Sequence, residues 1–170
     1  MAAVTAVLAV APAVGSAPWR FVATGDSRGE TNAINTEILA EMAVAISHES
    51  PDLVIFTGDL VLGPGTESQF AAWTNVMAPL YNAGIRVYPV RGNHDVGTGW
   101  DTVFGSMIPS NGPAGEVGVT YSVTNRNALF VALDQYVAAY RVNQAWLDAQ
   151  FASNGLPHVF AFGHNPAFKL

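Results

Sequence analysis

The sequence contains no cysteine, which excludes disulfide bridges, thiolate metal ligands and a cysteine nucleophile. Charged residues are few, at 12% of the chain, whereas hydrophobic residues make up half of it. That balance excludes an intrinsically disordered chain. Seven basic residues, scattered singly, and a formal net charge of −6 argue against a nucleic-acid backbone as a partner, because phosphate binding needs clustered Lys and Arg.

The N-terminal residues 1–17 are rich in Ala and Val, but Pro12 and Gly15 interrupt them. The run is too short and too broken for a membrane span. It resembles the apolar part of a signal peptide followed by a small-residue cleavage site, although no positive residue precedes it. The pattern favours export to the periplasm or the extracellular space. The alternatives are a disordered leader or a misplaced start codon in a cytoplasmic protein, and residues 18–170 have the length of one domain.

Four short apolar segments, predicted to be buried strands, are each followed by glycine and by polar residues that can bind metals. These residues are Asp26 after 20–24, Asp59 after 52–57, Asn93, His94 and Asp95 after 85–90, and His164 after 159–162. In open α/β sheets, ligands bind just beyond the carboxyl ends of the strands. A single Asp after a strand would usually cap the next helix. Four strand ends that all carry such residues indicate instead a site for a hard divalent cation beside an acid/base group.

The four strand-end motifs resemble those of the calcineurin-like metallophosphoesterases, and the resemblance runs from about Trp19 to the end of the chain. In chain order the motifs are Gly-Asp, Gly-Asp, Gly-Asn-His-Asp and Gly-His. The resemblance implies an α/β fold of four layers, in which helices flank two packed sheets. It also implies hydrolysis of a phosphoester substrate at a site with two divalent metal ions. The identity of the ions (Mn, Zn or Fe), the substrate and the oligomeric state are left open.

The resemblance assigns a metal-binding role to four residues. Asp59 would bridge the two ions and Asp26 would bind the first. Asn93, through its carbonyl oxygen, and His164 would bind the second, and Asn93 would also contact the substrate. Purple acid phosphatases carry a tyrosine three residues after the bridging Asp; Leu62 stands there, which argues against an iron–tyrosinate site.

The same resemblance assigns catalysis to two neighbouring residues. His94 would face the leaving group as general acid, and Asp95 would hold the far nitrogen of its ring. In this arrangement a carboxylate fixes the tautomer and the basicity of the imidazole.

Two family features are absent. Arg28 replaces the histidine of the first motif; a guanidinium has no lone pair for a metal, but it can bind two phosphate oxygens. We therefore expect Arg28 to bind substrate phosphate, with a salt bridge to Glu30 or Asp101 as the alternative.

The final Gly-His-x-His motif is also missing, and with it one histidine ligand for each ion. We expect a fragment that lacks the C-terminal part of the second sheet and is a poor enzyme by itself. The second function class is a non-catalytic relative, or inactive fragment, that binds phosphate or a partner.

Periodicity predicts a helix over residues 32–47, with Ile34, Ile38, Met42 and Ile46 in one apolar stripe and Leu39 beside them. Alternation of strands and helices predicts a mainly parallel sheet.

Further along the chain, Thr66-x-x-Gln69 predicts a capping box at the start of a second helix. The glycine-rich stretch 96–118 is typical of a functional loop. Its residues Trp100, Phe104 and Met107 suit either a lid or a small satellite core.

Overall fold

The computed structural model describes residues 6–10, 17–30 and 33–166. In these residues, strands and helices alternate along most of the chain. The strands are β1 (Ala6–Val10), β2 (Trp19–Thr24), β3 (Leu53–Phe56), β4 (Arg86–Pro89), β5 (Tyr121–Asn125), β6 (Ala128–Ala132) and β7 (His158–Phe162). The helices are α1 (Thr36–Glu49), α2 (Glu67–Val76), α3 (Ala78–Asn82), α4 (Trp100–Phe104) and α5 (Gln144–Ser153).

The first sheet has the strand order β1-β2-β3-β4. β2, β3 and β4 are parallel, as predicted, because helices connect them. Every residue of β3 is buried, as expected for a central strand covered on both faces. The parallel strands therefore end at one edge of the sheet, where the predicted metal-binding residues follow them.

The second sheet has the order β5-β6-β7, with an antiparallel hairpin β5–β6 and a parallel pair β6–β7. It faces the first sheet across an aromatic core. The ring of Phe21 on β2 lies 5.0 Å from that of Phe130 on β6 and 4.9 Å from that of Phe160 on β7, both edge-on. Such contacts favour a fixed packing of the sheets. The predicted α/β fold with two packed sheets is confirmed.

The first helix begins later than predicted, and one residue of its predicted apolar stripe is exposed. Ala33 has a left-handed backbone and Ile34 forms a β-bridge with Arg28, so α1 begins only at Thr36. Its buried residues are Leu39, Ala43 and Ile46, whereas Ile38 is 47% exposed. The predicted stripe is confirmed at Leu39 and Ile46, whereas Ile38 faces solvent and the buried Ile34 lies before the helix.

The predicted capping box is confirmed, since Gln69 N donates to Thr66 Oγ1 and Thr66 N donates to Gln69 Oε1. The stretch 96–118 contains α4. Trp100 and Phe104 of this helix are buried, and their rings lie 5.5 and 5.4 Å from that of Phe70 on α2. These two residues therefore extend the main core and do not form a lid, while Met107 is 38% exposed.

Of the N-terminal residues 1–17, the structure describes 6–10 and Ala17. β1 pairs antiparallel with β2, with Leu8 opposite Phe21. The sequence pattern did not predict this strand, and cleavage after Ala17 would remove it. Among the described residues, no helix combines the length and apolarity needed to cross a membrane. The signal peptide and the site of action stay predictions.

Candidate metal centre

Two turns with unusual backbone conformations present the first two carboxylates. Asp26 follows β2 with φ 58°, and Asp59 follows β3 with φ 52°. Left-handed backbone is uncommon outside glycine, and Asp and Asn tolerate it best. Asp26 N donates to Gly58 O at 2.9 Å, so the two turns are fixed to each other. Backbone strain of this kind is found preferentially at functional sites.

Glycines allow three loops to approach closely beneath the carboxylates. Gly58 has φ 91°, and a Cβ there would lie 2.6 Å from Gly92 N and 2.9 Å from His164 Nδ1. A Cβ on Gly92 would collide with Asp59. Larger residues would therefore push the loops after β3, β4 and β7 apart. Glycine is therefore required at positions 58 and 92 of the strand-end motifs.

Asp26, Asp59 and His164 converge on one point. Each offers one ligand atom, and these atoms lie within 4.8 Å of one another. Asp59 is buried, with 1% of its side chain exposed, His164 is half-buried and Asp26 is exposed. Three predicted metal ligands from three different strand ends are thus within reach of a single ion, and one side of the group is open to solvent.

The hydrogen bonding of His164 favours a cation at this point. Its Nδ1 lies 2.8 Å from the carbonyl oxygen of Thr57, which can only accept, so Nδ1 carries the proton. In the neutral ring, Nε2 then has a lone pair. Nε2 lies 3.5 Å from Asp59 Oδ1, where lone pairs on both atoms would repel each other. Either a proton on Nε2 or a metal ion between the two atoms relieves this repulsion, and a hydrogen bond on the far nitrogen is usual for metal-binding histidines.

The loop of Asn93 and His94 joins the same site. His94 N donates to Asp59 Oδ1 at 3.1 Å, which fixes the loop against the buried carboxylate. The side chain of Asn93 is exposed, and its roles as ligand and substrate contact stay predictions. His94 Nδ1 lies 3.2 Å from the carbonyl oxygen of Leu62, so Nδ1 donates there. Its Nε2 is left for proton transfer.

The predicted contact between Asp95 and His94 is wrong. Asp95 is fully buried, and its carboxylate accepts hydrogen bonds from the backbone N–H groups of Leu60, Val61 and Gly92 at 2.7–3.2 Å. Burial raises the pKa of Asp95 to about 6, against the lowering effect of these three donors. Asp95 therefore ties the loop after β4 to the loop after β3, and a backbone carbonyl holds His94 instead.

Arg28 points into the candidate site. Its Nη1 lies 3.1 Å from Asp59 Oδ2, and its Nε lies 3.9 Å from Asp26 Oδ1. The ion pair is thus made with two predicted metal ligands and not with Glu30 or Asp101. Because Nη2 is used in neither contact, the predicted binding of substrate phosphate by Arg28 stays open.

The sequence reasoning missed a group of residues around His164. Asp134 accepts from Arg91 Nε at 2.7 Å and from the backbone N–H groups of Tyr136 and Val137 at 2.8 Å. The ring of Tyr136 thereby lies 6.4 Å from that of His164. Burial raises the pKa of Tyr136 to about 12, so its hydroxyl stays protonated beside the site. Two signals were available: Arg91 stands directly before the Gly-Asn-His-Asp motif, and Leu133-Asp134 follows a strand pair that resembles one in the family.

The fold is α/β, and the ends of its strands bring together two carboxylates and a histidine that could hold a metal ion. The sequence profile of the calcineurin-like phosphoesterases matches residues 20–169. The chain belongs to the calcineurin-like phosphoesterase family. No curated protein matches it.

Among solved structures, the chain is similar to purple acid phosphatase PPD1 from seeds of yellow lupin (Lupinus luteus), with a TM-score of 0.59 and 16% sequence identity. The similarity covers 87% of this chain and 33% of the phosphatase, so the chain spans about a third of that protein's length. At this identity the likeness establishes the fold and carries no information on substrate.

Proposed function

We propose that this domain hydrolyses a phosphoester with the help of a divalent metal ion held by Asp26, Asp59 and His164. The observation that carries the proposal is the orientation of His164. The Thr57 carbonyl oxygen accepts from its Nδ1–H, so that Nε2 faces the buried carboxylate of Asp59 at 3.5 Å. Two carboxylates and a neutral imidazole suit Mn, Zn or Fe.

A bound divalent ion would supply Lewis acidity and make hydroxide available near neutral pH. The residues of the chain provide the remaining functions. The Asn93 amide would contact the ion and the phosphate, and Arg28 would bind phosphate through the N–H groups that its ion pairs leave free. His94 would donate a proton to the leaving oxygen from Nε2, while the Leu62 carbonyl keeps its ring in place. The second ion that the family resemblance implies stays a prediction.

Hydrolysis of p-nitrophenyl phosphate by the purified protein tests this proposal. We expect turnover that requires Mn²⁺ or Zn²⁺ and stops on addition of a chelator, because the bound ion would supply the hydroxide. Turnover that a chelator leaves unchanged would exclude a metal-dependent mechanism. Metal and phosphate binding without any turnover would favour the non-catalytic alternative.

Replacing His94 by asparagine should lower the turnover rate by about 10²–10⁴-fold, because the general acid is lost. The metal content should stay that of the wild type, since the role of His94 is proton transfer. The exposed His48 at the end of α1 is the matched control, and His48→Asn should leave both quantities unchanged. Loss of the metal in His94→Asn would show instead that His94 is a ligand.

A further inference from the structure

The two oxygens of the Asp59 carboxylate face different partners. Oδ1 lies 3.5 Å from His164 Nε2 and accepts from His94 N at 3.1 Å, whereas Oδ2 lies 3.1 Å from Arg28 Nη1. A carboxylate that bridges two ions through its two oxygens has to present one to each. In this chain a permanently charged guanidinium already occupies the second oxygen.

Arg28 is held in place by its backbone as well as by its side chain. Its N–H donates to the Asp59 carbonyl oxygen at 3.1 Å, and the residue forms a β-bridge with Ile34. The preceding Ser27 donates to Leu60 O at 3.0 Å and accepts from Trp73 Nε1 at 2.9 Å in the buried core. The backbone of Arg28 is therefore fixed beside Asp59, which keeps its guanidinium within reach of the carboxylate.

Charge and ligand number both oppose a second ion next to Arg28. The two carboxylates carry two negative charges, of which the guanidinium balances one. A single divalent ion already gives the group an excess of positive charge, and a second would be repelled by both cations. Arginine also supplies no lone pair where the family motif has a histidine. The burial of Asp59 increases the effect, because water screens this carboxylate poorly.

We propose that Arg28 takes the place of a second metal ion, so that the site consists of one divalent ion and one tethered guanidinium. This inference rests on the proposed function, since it assumes that one ion binds jointly to Asp26, Asp59 and His164, which the family resemblance divides between two ions. The ion that Arg28 replaces would have bound Asp59 Oδ2. Arg28 balances part of the negative charge there, and its Nη2 takes part in neither ion pair.

Titration of the metal-free protein with Mn²⁺, by calorimetry and electron paramagnetic resonance, tests the proposal. We expect one Mn²⁺ per chain in the wild type, with the resolved hyperfine pattern of an isolated ion. Arg28→His removes the fixed charge and supplies a ligand, so it should bind two ions and give the spectrum of an exchange-coupled pair. Arg28→Lys, which keeps the charge, should bind one. Thermal melting of each metal-free variant checks that it is folded.

A second variant, Arg28→Ala, tests the proposal even if Arg28→His does not fold. In Arg28→Ala the ion no longer shares Asp59 with a cation, and Mn²⁺ affinity should increase at least tenfold. Two coupled ions in the wild type, or an unchanged affinity in a folded Arg28→Ala, would overturn the inference while leaving the proposed function intact. A wild type that binds no Mn²⁺ would remove the proposed function itself, and the inference with it.

Discussion

Replacing Asp59 by asparagine is expected to abolish metal binding. Asp59 offers Oδ1 beside His164 Nε2 from a buried turn, and it is the most buried of the three candidate ligands. Asparagine keeps the shape but removes the negative charge that attracts a cation. Loss of a residue that merely orients a ligand costs about 10–100-fold in affinity, so the loss of this ligand should cost at least about 100-fold. Isothermal titration with Mn²⁺ measures it, and turnover should fall with it.

Asp52→Asn is the matched control for this variant. Asp52 is also an ion-paired aspartate, since it lies 3.2 Å from Arg126 Nε, but it lies before β3, at the opposite end of the strand from Asp59. Its metal affinity should equal that of the wild type. A folded Asp59→Asn protein that binds Mn²⁺ as the wild type does would place the metal site elsewhere.

Asp95→Asn is expected to cause the largest loss of stability. The carboxylate accepts from three buried backbone N–H groups of two loops. An asparagine side chain has one acceptor oxygen, and its NH₂ group would face at least one of these donors. A buried donor without an acceptor costs about 1–3 kcal/mol, and more where the lost partner is charged. We expect a loss of about 2–4 kcal/mol, seen as a fall in Tm of roughly 5–15 °C.

Exposed Asp101 provides the control for this prediction, and Asp101→Asn should melt within about 2 °C of the wild type. In Asp95→Asn the loops after β3 and β4 lose their common anchor, so affinity for Mn²⁺ should decrease as well. Wild-type stability in Asp95→Asn, combined with a loss of turnover, would contradict the anchoring role. It would restore the predicted role of Asp95 in catalysis.

The positions of the site residues could be predicted from the sequence because they depend on short-range rules. A fully apolar segment such as β3, followed by glycine, marks the end of a buried strand, and parallel strands end at the same edge of a sheet. Thr66 and Gln69 form a helix cap by contacts within four residues. Such features need no knowledge of the tertiary structure.

The partners of the site residues could not be predicted, because they come from distant parts of the chain. The sequence pattern contains no sign that Thr57 O fixes the tautomer of His164, or that Leu60 and Val61 bind Asp95. Nor could it show that Arg28 faces Asp59, since this contact depends on the positive φ of Asp59 and on the bridge between Arg28 and Ile34. The contact between His94 and Asp95 was taken from the family resemblance, and it was wrong because the backbone N–H groups of Leu60, Val61 and Gly92 bind the Asp95 carboxylate instead.

The anomalous scattering of zinc in crystals of the protein tests the central claim most directly. The account predicts an anomalous peak within about 2.0–2.2 Å of His164 Nε2 and of an Asp59 oxygen, with Asp26 in the same coordination sphere. Thr57 O should still accept from His164 Nδ1. A zinc-loaded crystal whose anomalous peaks all lie away from these three residues would contradict the account.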